Sequence, residues 1–298
     1  MGKNLFGAVL SYVAPSSNYR GESEANRTVI QKIVKAGREY AVISPESMRN
    51  ALRELLAEKG LECNRRRLHD EDQLAVEFKD FPNADKFADD FFFGYMVADG
   101  KSMKSTGRPA KRDSVLRMNM AVALSPYRFD ATFHQSPKNA GSSPWKNADN
   151  SQLLHKEVTC TAYQFPFALS LDECLRNPNG GKWTTVLLES IGELSNVAGG
   201  HARSFFEMSP RSLVLRVTSS LVAGFDTYGF DESGGFRELS RINKDDLPGA
   251  EFWIAGEVVR DMGQEQRDRL RSEGAHLLDN PQLCLKEVSE QFLAAGVR

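Results

Sequence analysis

Ser44-Pro-Glu-Ser-Met-Arg-Asn-Ala-Leu-Arg53 spells a helix start that carries two arginines on one stripe. Ser44 suits an N-cap, and Pro45 suits the first helical position, where an N–H is dispensable. Glu46 complements the positive end of the helix dipole. Met48, Leu52, Leu55 and Leu56 recur at helical spacing, and Gly60 is a natural stop. Arg49 and Arg53 are four apart, so they are expected to share a face, with Asn50 beside them. Free N–H groups, a positive dipole end and nearby guanidiniums make an anion site, most often for phosphate. The plainer alternative is an amphipathic helix with solvated arginines.

Outward from this helix the chain alternates element types. Residues 4–13 alternate apolar side chains and read as an opening strand. Residues 14–28 read as a polar loop, and 29–43 as a helical turn or a strand pair. Residues 60–113 are charged, with RRR at 65–67, an acidic patch at 70–72, Phe91-Phe92-Phe93 and the run GKSMKSTGRPAKR. They read as an insertion around a small aromatic core of its own. Residues 114–124 return as a strand, and 125–157 read as a long irregular segment of the kind that is usually functional or disordered. Residues 158–171 form a strand in which Pro166 suggests an edge or a bulge. A helix over 184–198, strands at 212–219 and 251–259, and helices near 261–273 and 282–295 complete an α+β architecture.

The net charge of −2 hides strong segregation. Residues 3–53 hold eight basic against four acidic side chains, and 101–117 hold six against one. Residues 60–100 hold five against ten, and 221–298 hold nine against fifteen. Such a chain can be near neutral and still present a basic groove. The four cysteines lack a CxxC pair, and the five histidines form no ligand cluster, so neither a zinc site nor a disulfide framework is expected. No apolar run reaches the length of a membrane span and no secretory signal is evident, so the expectation is a cytoplasmic protein. No GxSxG, P-loop or GxGxxG is present, and no cofactor is implied. Asp89-Asp90 and Asp245-Asp246 read as ordinary surface pairs.

Nucleic-acid chemistry is better supplied. The Gly- and Ser-rich basic run can follow a phosphate backbone without base preference. Phe133, His134 and Trp145 lie where a planar side chain could stack on a base. Gly199-Gly200-His201-Ala-Arg203 is a hinge where backbone can approach a phosphate, although the same glycines also suit a helix end.

The opening strand, SPESMRNALRELL, the basic insertion and ELSNVAGGHARSFFEMSPRSLVLRV, taken in order, resemble the DevR-type backbone subunit of CRISPR Cascade. That is the Cas-seven family of type I effectors, here similar to the I-B kind. The resemblance implies a modified RRM-like (ferredoxin-like) palm with inserted fingers and a thumb-like hairpin. The palm would be 1–59, 114–124 and 158–298 with its C-terminal helices, the fingers 60–113 and the thumb 125–157. The RNP-type aromatics of a standard RRM are absent from the strands.

The resemblance further implies a non-enzymatic protein whose copies polymerise along one CRISPR RNA, kink it periodically and present it to target DNA. Partners would be other copies, a Cas-five-like cap, a large and a small subunit, and a processing endonuclease, with no membrane. Asn18, Arg20, Arg27, Arg49, Asn50, Arg53, Gly200, His201 and Arg203 would line the guide-facing palm. Lys101, Lys104, Lys111 and Arg112 would meet phosphates from the fingers, and Phe133 and His134 would wedge at the kink. Two other functions stay open: a small-molecule enzyme using the 199–203 loop, and a DNA-binding autoregulator, for which no helix-turn-helix is evident.

Overall fold

A computed structural model describes residues 2–17, 19–24, 27–67, 76–97, 109–135, 153–197 and 208–296. The chain opens with β1 (Asn4–Ser11), β2 (Ala14–Ser16), β3 (Tyr19–Glu24), β4 (Arg27–Ile30), β5 (Lys32–Lys35) and β6 (Arg38–Ile43), then α1 (Pro45–Glu58). It continues through β7 (Arg65–Arg67), β8 (Val76–Phe78), α2 (Ala88–Phe93), β9 (Tyr95–Met96) and β10 (Lys111–Arg112). Next come β11 (Arg117–Met118), β12 (Ala121–Ala123), β13 (Ala131–Gln135), β14 (Leu153–Glu157), β15 (Thr159–Thr161) and β16 (Tyr163–Ser170). The last part holds α3 (Leu171–Cys174), α4 (Gly180–Gly192), β17 (Pro210–Thr218), β18 (Phe252–Gly256), α5 (Glu257–Arg260), α6 (Gln264–Ser272), β19 (His276–Leu278) and α7 (Pro281–Ala294).

Among the described residues, nine strands form one sheet in the order β19-β18-β17-β1-β16-β12-β6-β5, with β11 also pairing β16. β1 is antiparallel to both β16 and β17, and β12 is antiparallel to β16. β1 and β12 therefore run the same way with β16 between them, and β16 and β17 run the same way with β1 between them. One crossover contains α1 and the other contains α4, and both helices pack on the same face. There Met48, Leu52, Leu56, Leu187, Ile191, Val288 and Phe292 meet Leu5, Val9, Phe165, Phe167, Leu213 and Leu215.

The strand period of two sends Ala8, Leu10, Val214, Phe252 and Ile254 to the other face. Phe225, Phe230, Phe236 and Leu239 from the long segment after β17 cover them. The segment between β17 and β18 thus lies over one half of the sheet, β18 and β19 extend it, and α7 packs on the opposite face beside α4.

Three sequence expectations change. Residues 14–28 are not a simple loop, because β3 and β4 join β13 and β14 in a four-stranded sheet of order β13-β14-β4-β3. Their polar composition hid them. Pro166 is in a central strand and not at an edge. It stands opposite the interruption between β11 and β12, where Met118 pairs Phe167 and Val122 pairs Gln164, so its missing N–H falls at a break in the ladder. Among the described residues the insertion at 60–113 has no separate aromatic core. Phe91 and Phe92 are in the main core, with Phe91 edge-on to Trp183 of α4 at 5.6 Å between centroids.

Candidate nucleic-acid interface

α1 begins as its sequence dictates. The Ser44 side chain accepts the Ser47 N–H at 3.2 Å, and Pro45 takes the first turn. The cap already uses one of the N–H groups expected for an anion. The two arginines then part company. Arg53 is 6% exposed, and its Nε donates to Asp89 Oδ2 at 2.9 Å while its Nη1 donates to Asn50 Oδ1. Its guanidinium also lies 5.1 Å from the Phe93 ring centroid. Arg53, with Asn50 as a partner, is thus used inside the fold, so the shared face of the two arginines is not equally open to a phosphate. The insertion carrying α2 packs over the C-terminal side of that stripe and converts it to interior.

Asp89 is the centre of this junction. It is 1% exposed, and besides Arg53 it accepts the Asn64 N–H at 2.7 Å and the Arg65 N–H at 3.0 Å. Its neighbour Asp90 is fully buried and accepts Asn64 Nδ2 at 2.8 Å and the Asn83 N–H at 2.9 Å on Oδ2, while its Oδ1 has no partner. The pair is therefore not a surface feature; Ala88 before it and three phenylalanines after it are the signal of burial.

Burial pushes the Asp90 carboxyl above its ordinary value, against the opposing bonds from Asn83 and Asn64. A carboxyl raised in the folded state gives stability below its unfolded value that is lost as pH rises through the folded value. Asp90→Asn removes that loss. Thermal melts between pH 4 and pH 7 are expected to show the wild type falling progressively behind Asp90→Asn as pH rises, and a constant difference would contradict this.

Arg49 stays half-buried beside this junction, and its Nε is enclosed with no hydrogen-bond partner. Burial lowers its pKa, Glu46 opposes, and the nearby Arg65 cation lowers it further. Arg65, from β7, gives Nη2 to the Gly94 carbonyl at 2.6 Å and lies 4.8 Å from the Phe78 ring centroid, yet its Nε is also enclosed and unpartnered. The two guanidiniums are near enough to repel, and each has an enclosed nitrogen without a hydrogen-bond partner. A phosphate between them would relieve the repulsion through charge-assisted bonds. The triple arginine at 65–67 was visible in the sequence, but nothing there tied it to Arg49.

The remaining candidates divide. Arg112 donates Nη1 to the Phe91 carbonyl at 2.5 Å and stacks 5.0 Å from the Phe91 ring centroid, so it closes the end of α2 and braces the fold. Gly94 follows, at φ 66°, where a side chain would collide with the Arg112 carbonyl. Lys111 is exposed on β10. Arg27 pairs with Glu157 at 3.4 Å and covers Phe129.

Phe133 lies on β13, 56% exposed and edge-on to His155 at 5.3 Å. His134 points to the other face, its Nε2 within 2.8 Å of Thr132 Oγ1. The irregular segment at 125–157 thus contains a hairpin. Arg20 contributes backbone to β3. Asn18, Lys101, Lys104, Trp145, Gly200, His201 and Arg203 lie outside the described residues. Among the described residues no group of side chains could hold a metal ion, and no helix is long and apolar enough to cross a membrane.

An interleaved double crossover with a hairpin inserted between β12 and β16 and an arginine-lined junction beside α1 defines a class, and solved structures share the fold. A chain of a "CRISPR RNA-guided surveillance complex, pre-nicking" superposes with a TM-score of 0.59 at 13% identity, covering 98% of this chain and 99% of that one. A chain of another CRISPR RNA-guided surveillance complex gives 0.56 at 12% identity, with coverage of 98% and 99%. No family model matches the chain. The "CRISPR-associated protein Cas7/Cst2/DevR" of Myxococcus xanthus is 32% identical over 291 residues, 93% of this chain and 94% of that protein. The chain belongs to the Cas7/Cst2/DevR family of CRISPR-associated proteins.

Proposed function

We propose that the chain is the backbone subunit of a type I CRISPR RNA-guided complex, binding the phosphate backbone of CRISPR RNA. Family membership carries this reading and the shared fold supports it; the half-buried Arg49 and Arg65 beside α1 are the cations taken to meet the phosphate. Each copy seats one phosphate there, and successive copies repeat the contact along the RNA. Few cations per copy then suffice, which fits a net charge of −2. The chain acts by holding and presenting RNA to target DNA alongside other subunits, and not by catalysis.

The palm is of the RRM-like kind: the strand order β17-β1-β16-β12 with α1 and α4 on one face supports that reading. Residues 60–113 act as fingers and 125–157 as the thumb, with Phe133 as the aromatic wedge. Lys111 adds a phosphate contact from the fingers, while Arg53, Asn50 and Arg112 brace the frame. The region 221–298 faces away from RNA, in keeping with its acidic balance.

Expressed with its CRISPR array and partner genes, the purified protein is expected to carry RNA of one length. A nucleic-acid-free monomer would contradict the proposal. Stacking on an aromatic side chain is worth about 1–3 kcal/mol per base. Phe133→Ala should therefore expose the nucleotide under the hairpin to chemical probing while total bound RNA is kept; an unchanged reactivity profile would remove the wedge role.

A further inference from the structure

The four-stranded sheet that carries Phe133 meets the main sheet at one buried carboxylate. Glu157, the last residue of β14, is 2% exposed. Its Oε2 accepts the Ile30 N–H at 3.0 Å. Arg27 Nε lies 3.4 Å from Oε1, and Lys32 Nζ lies 3.6 Å from Oε2. These three partners mark the start of β4, the end of β4 and the start of β5. Ile30 is in the main core, and the Gln31 carbonyl accepts the Val42 N–H, so β5 is locked to the main sheet.

Both cations are held from a second side by aromatics of the segment leading into β13. Arg27 lies 5.2 Å from the Phe129 ring centroid, and Lys32 Nζ lies 4.2 Å from that of Tyr127. Burial and the Glu157 charge push the Tyr127 phenol up to about 12, so it stays neutral beside the carboxylate.

We propose that Glu157 is a positioning residue that fixes the direction of the β13–β14 hairpin relative to the main sheet and keeps Arg27 and Lys32 from competing for RNA phosphate. A buried ion pair of this kind is weak support for stability, since apolar replacements are often neutral. What it supplies is one geometry. The carboxylate ties β14 to both ends of β4 and to the start of the main-sheet strand β5, while β4 and β14 pair through only His155–Arg27 and Lys156–Thr28. Its use in RNA presentation rests on the function proposed above.

Glu157→Gln keeps an acceptor for the Ile30 N–H and removes the charge. Hydrogen exchange of the free protein should show amides of 131–135 and 153–157 exchanging about tenfold faster, with α4 and α7 unchanged. In the RNA-bound complex, total RNA should be retained while nuclease protection under the hairpin loses its regularity. Glu157→Asp, which keeps the charge, should recover part of both.

Unchanged hairpin exchange in Glu157→Gln overturns the proposal, and so does loosened exchange with wild-type RNA protection. If Glu157→Gln loosens α4 and α7 as well, Arg27→Gln with Lys32→Gln decides. Loosening confined to the hairpin supports the pin, and none overturns it. A wild-type complex without RNA would sink the proposed function, while the exchange comparison in free protein would still judge the pin.

Discussion

Arg49→Glu combined with Arg65→Gln is expected to strip RNA from the protein while leaving it folded. Arg49 bonds to no neighbour through its enclosed Nε, and Arg65→Gln gives up one partly buried bond, from Nη2 to the Gly94 carbonyl. Hydrogen bonds to charged groups contribute about 1.5–3 kcal/mol each, so losing two weakens a single-copy contact by about a hundredfold or more. The salt dependence should also become shallower, by roughly 0.7 in the logarithmic slope for each single-strand phosphate contact removed. Titrations with a short single-stranded RNA at several salt concentrations check both. Unchanged affinity and slope would mean that the pair serves the fold alone. Arg53→Met makes the contrast, because Arg53 is inside the structure and its loss should lower stability ahead of RNA binding.

The largest expected loss of stability is from Asp89→Ala. It removes the acceptor for Arg53 Nε, the Asn64 N–H and the Arg65 N–H together. The Arg53 guanidinium, 6% exposed, would be left with its charge uncompensated. Breaking a buried pair from one side costs about 3–5 kcal/mol, a large share of the roughly 5–15 kcal/mol that holds a typical domain together. Denaturant unfolding should show a midpoint far below wild type, with Asp89→Asn between them because its amide oxygen still accepts. A drop of less than about 1 kcal/mol would show that the junction relaxes and rehydrates. Replacing both partners with apolar residues, Arg53→Met with Asp89→Leu, should recover part of the loss.

Much of the frame was legible because periodicity reports burial. Met48, Leu52 and Leu56 marked α1; Leu187 and Ile191 marked α4, which runs over Gly180–Gly192 and not 184–198; and the strand read at 212–219 is β17. The acidic pair, the polar strands and the second arginine were not legible. Asp89 and Asp90 are buried through bonds to Arg53, Asn64 and Asn83, contacts that join segments far apart in the chain. β3 and the start of β4 are polar in sequence, while Val29 and Ile30 at the end of β4 are buried. Arg65 meets Arg49 only because the insertion folds back on α1, and charge composition cannot express that. Resemblance to the family put both α1 arginines on the guide-facing side, but a linear motif could not say which of them turns inward.

Photochemical cross-linking of the RNA-bound protein, followed by mass spectrometry of the adducted peptides, measures most directly which face holds RNA. Adducts are expected on peptides containing Arg49, Arg65 and Phe133. Adducts confined to 221–298, with none on the α1–β7 junction or the β13–β14 hairpin, would contradict the phosphate site between Arg49 and Arg65.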